Sequence, residues 1–269
     1  MLSKEIKQEL EHYLKQDVGK GDVTTNITPQ KNCEAIIKTN ENCIVVGIEE
    51  ISYLFRSRGL KVKPLKKDGQ KVNKGTKIII ISGSNKKILT LERICLNILG
   101  RMSGVATLAS EAKSKSKAVS LTRKTIPGFQ MLDKKAGETI GIWSHRKNLN
   151  EMVLLKENHL NFFAGIGEAV RKAKKTGKKV EVEVETEAEA IEAVWAKPSI
   201  IMLDNFSPKK AKATIKLLKG AGFQGKIELS GGITLKNLSK YSNLGADIIS
   251  MGELTKNAKI IDFSLEMKK

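Results

Sequence analysis

Residues 180–205 read VEVEVETEAEAIEAVWAKPSIIMLDN. Val180, Val182 and Val184 alternate with Glu181, Glu183 and Glu185, which is the period of a strand and puts all three carboxylates on one face. Helical spacing follows over 188–196. A short apolar run at 200–203 then ends in Asp204-Asn205, so the stretch predicts strand, helix and a second buried strand, the unit of a parallel sheet. The rhythm continues on both sides, with strands expected at 118–121, 152–155, 227–229 and 248–251 and helices at 166–175, 208–220 and 235–244. Each strand finishes in a polar cluster: Thr122-Arg123-Lys124, Lys156-Glu157-Asn158-His159, Glu183-Val184-Glu185, Asp204-Asn205, Ser230-Gly231-Gly232 and Gly252-Glu253. Polar groups converging from many strand ends suit the active face of a β/α barrel, whereas an open sheet concentrates them at one switch point.

The first hundred residues have a different texture. Leu2, Ile6, Leu10 and Leu14 recur every four residues in a mixed-charge helix that is no signal peptide. Short β-like runs follow at 33–39, 43–48, 61–64 and 77–82, separated by Asp68-Gly69 and Lys74-Gly75, and a helix is expected at 89–109. The expected division is a smaller N-terminal α/β domain with its linking helix over 1–110, a β/α barrel over 111–260, and a tail, 261–269, packing back on the N-terminal domain.

Of 269 residues 40% are apolar, enough for a full core, and no apolar run approaches the roughly 18 to 20 residues of a membrane span. Cys33, Cys43 and Cys95 have no metal-type spacing and leave one thiol over in any pairing, which fits a reducing, cytoplasmic setting. The net charge is +19, yet only seven of the 48 basic residues are arginines. The lysines read as solvated background. Arginine marks places where a planar two-pronged donor is needed, and Arg93, Arg101, Arg123 and Arg146 fall close together. A nucleic-acid-binding protein would want a basic stripe interleaved with aromatic platforms; aromatics are 4% and the lysines are spread throughout.

Ser230-Gly231-Gly232-Ile233-Thr234 follows a strand and is expected to open a helix, so its N–H groups would face a bound anion, with Met251-Gly252-Glu253 completing the cradle. The plainer alternative is a glycine turn with Thr234 as helix cap. Carboxylates facing a barrel mouth are costly unless they meet a metal, a lysine or a cationic reaction centre, and Asp204 would share that mouth. Arg123-Lys124, His145-Arg146 and Lys156 together make a pocket for a compact polyanion. Of the three histidines, His12 decorates the first helix, His159 is structural and His145 is the functional candidate. Trp143 and Trp195 are expected to pack.

These motifs resemble one family: Gly21-Asp22-Val23-Thr24-Thr25, Glu92-Arg93 through Asn97 to Ser103-Gly104, TRKTIPG (122–128), HRKNLNEMVLLKENHL (145–160), EVEVE (181–185), IMLDN (201–205), ELSGGIT (228–234) and ISMGELT (249–255). Taken in this order they are similar to quinolinate phosphoribosyltransferases, the carboxylating nicotinate-nucleotide pyrophosphorylases of de novo NAD synthesis. The resemblance implies a small N-terminal α/β domain and an incomplete, seven-stranded β/α barrel, in homodimers or larger homo-oligomers whose active site is shared across the interface. Arg93 would come from the neighbouring subunit. Arg123, His145, Arg146 and Lys156 would bind quinolinate. Lys124, Lys156, Glu183, Asp204, Ser230, Gly231 and Gly252 would hold phosphoribosyl pyrophosphate, with Mg²⁺ at Glu183 and Asp204, and the catalytic set would be Glu183, Asp204, Lys124 and Lys156.

The implied reaction gives nicotinate mononucleotide, pyrophosphate and CO₂, and no nucleic acid or membrane partner is expected. Two departures from the family pattern stand out. Ile140-Gly141-Ile142-Trp143-Ser144 replaces a usual glycine triplet and Asn ahead of His145, and Lys256 stands where the family tends to have His. The rival within enzymes is a related phosphoribosyltransferase taking nicotinate or another acceptor, such as the molybdenum-associated paralogues; a monocarboxylate would not need so many cations.

Overall fold

The structure, a computed structural model, describes residues 2–268; Met1, where the first expected helix segment begins, and Lys269, the end of the expected tail, lie outside the described residues. The chain divides into two compact units. One comprises the chain as far as Ser110, Ile126–Gly141 and the segment from Asn257 onward; the other comprises Glu111–Thr125 and Ile142–Lys256. The linear division at 110 and 260 becomes an interleaved one.

In the first unit, α1 (Lys4–Val18) starts where the Ser3 hydroxyl accepts the Ile6 N–H and buries Leu10, Tyr13 and Leu14. The Gly-Asp of the first motif is structural: Asp22 caps α2 (Val23–Ile27) by accepting the Thr25 N–H at 2.9 Å, and it also accepts the Thr90 hydroxyl at 2.9 Å. Then come β1 (Asn32–Thr39), β2 (Cys43–Val45), α3 (Ile48–Ser57), β3 (Lys61–Pro64), β4 (Gln70–Val72), β5 (Lys77–Ser84) and the long helix α4 (Asn85–Lys115). The β-branched run at 43–48 stops early because Asp68 accepts the N–H groups of Gly47 and Ile48, both at 2.9 Å, and so starts α3 from across the unit. Helix α5 (Gln130–Thr139), which the sequence had assigned to the barrel, buries Leu132 and Ala136 in this unit's core. There Asp133 receives two hydrogen bonds from Arg101, at 2.8 and 2.7 Å, and both side chains are buried. Arg101 is therefore committed to structure.

The second unit holds β6 (Val119–Ser120), β7 (Val153–Leu155), α6 (Glu157–Leu160), α7 (Ile166–Lys174), β8 (Val180–Val184), α8 (Glu187–Ala196), β9 (Ile200–Asp204), α9 (Pro208–Gly220), β10 (Lys226–Ser230), β11 (Ile248–Ser250) and α10 (Glu253–Lys256). Among the described residues its strands form a six-stranded parallel sheet in the order β6-β11-β10-β9-β8-β7. Trp143 forms a single parallel bridge to Ser120 on β6. Helix starts are written locally: Thr186 and Glu189 cap α8 reciprocally, and Ser207 ahead of Pro208 caps α9. The helix expected at 235–244 is a single 3₁₀ turn, Leu238–Lys240. Asn237 turns back to accept the Thr234 N–H at 2.8 Å, and Gly245 adopts φ +90°, so local bonds outcompete a regular helix.

The chain finally returns to the first unit, where β12 (Phe263–Lys268) pairs antiparallel with β1. The resulting four-stranded sheet has the order β12-β1-β5-β3, beside a separate β2-β4 pair. No helix among the described residues is long and apolar enough to cross a membrane.

Candidate active site

Strand register builds the site. Glu183 and Glu228 both pair with Met202, and Ser230 pairs with Asp204, so these residues share the face carrying Glu181. At the upper level Lys156, just past β7, forms an ion pair with Glu183; the carboxylate is mostly buried and the ammonium half-exposed. His159 holds this lysine in place, its Nδ1 accepting the Lys156 backbone N–H at 3.1 Å.

Beside them the β9 and β10 ends interlock. Asn205 sits in the left-handed region at φ +58°, its backbone N–H donates to the Ser230 carbonyl at 3.0 Å and its amide donates to Asp204 at 2.6 Å. Gly231 has φ +88°, and a Cβ there would lie 2.3 Å from the Asn205 nitrogen, so only glycine fits. Gly231 and Gly232 both adopt positive φ, so the segment after β10 is a tight glycine turn rather than the start of a regular helix, closer to the plainer of the two readings of the sequence. The next loop is tied to it, because Glu253 accepts the Leu235 N–H at 2.7 Å. Lys124 lies over that loop: a Cβ on Gly252 would meet the lysine chain at 3.0 Å, and Thr255 donates to the Lys124 carbonyl at 2.8 Å.

Arg123 and Arg146 are the remaining cations of the second unit among the expected site residues. Neither guanidinium has an ion-pair partner among the described residues. Burial, followed by the positive charge of Arg123, holds the Arg146 pKa below its ordinary value, while Glu181 and Glu183 oppose that shift. Arg123 is exposed and Arg146 half-buried, and both lie in this unit. The structure thus groups Arg123, Lys124, His145, Arg146, Lys156, Glu183, Asp204, Ser230, Gly231 and Gly252 in one unit, while Arg93 belongs to the other, exposed on α4.

The lower level was not foreseen. His145 is buried in the left-handed region, φ +53°, and its Nε2 lies 3.1 Å from Glu181 and 3.3 Å from Glu228, both fully buried. These are charge contacts without well-aligned hydrogen-bond geometry. Where a metal, a lysine or a cationic reaction centre is expected, Glu181 faces a histidine. Glu228 had appeared only within a motif; its readable signal is a carboxylate centred in Ile227-Glu228-Leu229, in phase with Ser230. Burial pulls the His145 pKa down and the two carboxylates push it up, while the Arg146 N–H donated to Nδ1 favours the neutral ring, which carries its one proton on Nε2 between the carboxylates. Burial raises Glu181 to about 7, against the pull of His145.

The same three side chains could geometrically surround a cation, their ligand atoms lying within 4.8 Å of one another. The ring argues otherwise. Nδ1 accepts the Arg146 N–H at 2.8 Å, which leaves the ring proton on Nε2, the nitrogen a metal would need. By contrast Glu183 and Asp204 offer hard carboxylate oxygens at adjacent strand ends, the donor chemistry Mg²⁺ takes.

The tryptophans depart from expectation. Trp195 is 77% exposed on α8, and Trp143 is 45% exposed with its ring 4.8 Å from that of His145.

A parallel α/β sheet with a glycine turn, lysines and carboxylates at its strand ends has the groups that a transferase of phosphorylated substrates needs. Sequence families described as quinolinate phosphoribosyl transferase, N-terminal domain and C-terminal domain, match residues 22–103 and 103–266. The chain belongs to the quinolinate phosphoribosyl transferase family. It is similar to the probable nicotinate-nucleotide pyrophosphorylase (carboxylating) of Methanocaldococcus jannaschii, 38% identical over 96% of this chain and 95% of that one. The Rattus norvegicus nicotinate-nucleotide pyrophosphorylase (carboxylating) is 31% identical over 95% of this chain and 88% of its own. The solved nicotinate-nucleotide pyrophosphorylase from Francisella tularensis matches with a TM-score of 0.92 at 33% identity, covering 100% of this chain and 98% of that one.

Proposed function

We propose that the chain transfers the phosphoribosyl group of 5-phosphoribosyl 1-pyrophosphate to quinolinate, with loss of CO₂, to give nicotinate mononucleotide and pyrophosphate for NAD synthesis. The observation that carries this reading is that Arg123 and Arg146, in one unit, have no ion-pair partner among the described residues, which leaves two forked cations for the two carboxylates of one small acceptor. Arg123, Arg146 and Lys156 hold those carboxylates, which turns the pyridine nitrogen toward the ribose. Lys124, Ser230, Gly231 and Gly252 hold the phosphates. As pyrophosphate leaves, positive charge develops at the anomeric carbon, and Glu183 and Asp204 stabilise it. The nitrogen lone pair forms the new N–C bond; the carboxyl group beside the now cationic nitrogen then departs as CO₂, its electron pair taken up by the ring and replaced by a proton.

Mg²⁺ held at Glu183 and Asp204 would neutralise charge on the leaving pyrophosphate. Arg93 serves the neighbouring subunit of a homodimer or larger homo-oligomer, the segment at Trp143 is the seventh strand of an incomplete barrel, and the enzyme works in the cytoplasm. The test is incubation with quinolinate, phosphoribosyl pyrophosphate and Mg²⁺, following nicotinate mononucleotide and CO₂. Turnover with quinolinate is expected; turnover with nicotinate alone overturns the reading.

A further inference from the structure

We propose that Glu181, Glu228 and His145 form a buried anchor that aims Arg146 into the acceptor site, so that all three are positioning residues rather than substrate ligands. This rests on the reading of the acceptor site given above. The resemblance implied a direct contact between His145 and quinolinate, but the ring's surroundings point elsewhere. One edge, Nε2, faces carboxylates on β8 and β10 at 3.1 and 3.3 Å, reaching across the face of the intervening β9. The other edge, Nδ1, accepts the N–H of the next residue, Arg146, at 2.8 Å. The Trp143 ring stands against it at 4.8 Å, and only 7% of the His145 side chain is exposed. Nδ1 is hydrogen-bonded to the backbone and Nε2 is buried against the two carboxylates.

The backbone explains what the anchor is for. A non-glycine residue at φ +53° is strained and persists where its surroundings over-determine it. Here the clamp on the ring supplies that determination, and its immediate consequence is the direction in which residue 146 leaves the turn. Arg146 is further guided by donating from Nη1 to the Met152 carbonyl at 3.3 Å, which leaves the rest of its fork for a carboxylate. Two fully buried glutamates are otherwise hard to account for. Their oxygens have no aligned hydrogen-bond donor, and without the imidazole they would be two like charges facing an apolar interior.

The experiment is a double-mutant cycle. Wild-type turnover of quinolinate is measured first and tests the underlying reading alone. Quinolinate Kd is then measured by calorimetry for a variant combining Glu181→Gln and Glu228→Gln, for Arg146→Ala, and for their combination. The glutamate variant is expected to weaken quinolinate about tenfold while the KM for phosphoribosyl pyrophosphate stays within about twofold; on the Arg146→Ala background it adds less than about twofold, because no guanidinium remains to be misaimed. A full tenfold loss on top of Arg146→Ala, or an equal rise in the KM for phosphoribosyl pyrophosphate, overturns the proposal. Should the glutamate variant not fold, His145→Asn takes its place, since Asn tolerates the left-handed backbone but does not reach both carboxylates. Loss that adds to that of Arg146→Ala marks His145 as a ligand and overturns the anchor; loss that vanishes on that background supports it.

Discussion

Single atoms decide much of this site. At Gly231 one added methyl group would press within 2.3 Å of the Asn205 nitrogen in a backbone conformation that disfavours any side chain. Gly231→Ala is therefore expected to raise the KM for phosphoribosyl pyrophosphate by about tenfold or more, with a much smaller effect on quinolinate, in steady-state kinetics. Protons matter equally at the lower level. Glu181 has a folded-state pKa above its ordinary one, about 7. A raised folded pKa stabilises the fold at pH below the unfolded value, and that stability is lost as the pH climbs through the folded value. The thermal midpoint should fall between pH 5 and pH 7 as Glu181 ionises. Glu181→Gln, which cannot ionise, should flatten this fall in a melting series; an unchanged profile would show that Glu181 does not titrate in this range. The carboxyls that are pulled down, Glu11 by Arg58, Glu49 by Lys135 and Glu168 by the Ala164 N–H and then Lys172, lose their contribution only at acid pH.

Between elements, the Arg101–Asp133 pair joins α4 to α5 inside the first unit, with the carboxylate fully buried and the guanidinium 5% exposed. Asp133→Ala leaves that guanidinium buried without its partner and should cost about 3–5 kcal/mol in denaturant unfolding. The pair also shows where sequence reasoning stops: Arg101 looked like one more anion-binding arginine, and nothing within its own helix announces a partner 32 positions away. Elements whose signals are local were legible. Val180–Val184 alternates cleanly, and Pro208–Gly220 carries its start at Ser207-Pro208 and its end at a glycine. Elements decided at a distance were not. Ile48–Ser57 begins where Asp68 caps it, and 235–244 fails as a helix because its Asn and Ser side chains bond to nearby backbone. The strand-end residues of the site were readable because polar groups after apolar runs are conspicuous. Glu228 and the inward turn of His145 were not, since the meaning of a carboxylate inside a strand depends on what the facing segment brings to it.

For the whole molecule, the proposed sharing of the site between subunits makes a quantitative claim. Arg93→Ala and Glu183→Ala, each inactive alone, should recover about a quarter of wild-type activity when mixed in equal amounts with subunit exchange, because half the dimers are mixed and each mixed dimer keeps one intact site. No recovery after demonstrated exchange would remove Arg93 from its neighbour's chemistry. The interleaving of the two units also governs how the chain can be made. Asn40, at the end of β1, hydrogen-bonds Asp262 across 222 positions of sequence, and β12 completes the sheet beside β1. During synthesis β1 therefore waits with one edge bare while the entire second unit is translated, and an unpaired edge is a template for strands from other nascent chains. The first unit to emerge from the ribosome is the last to close, which makes the interval before β12 arrives the period when newly made chains most need a chaperone.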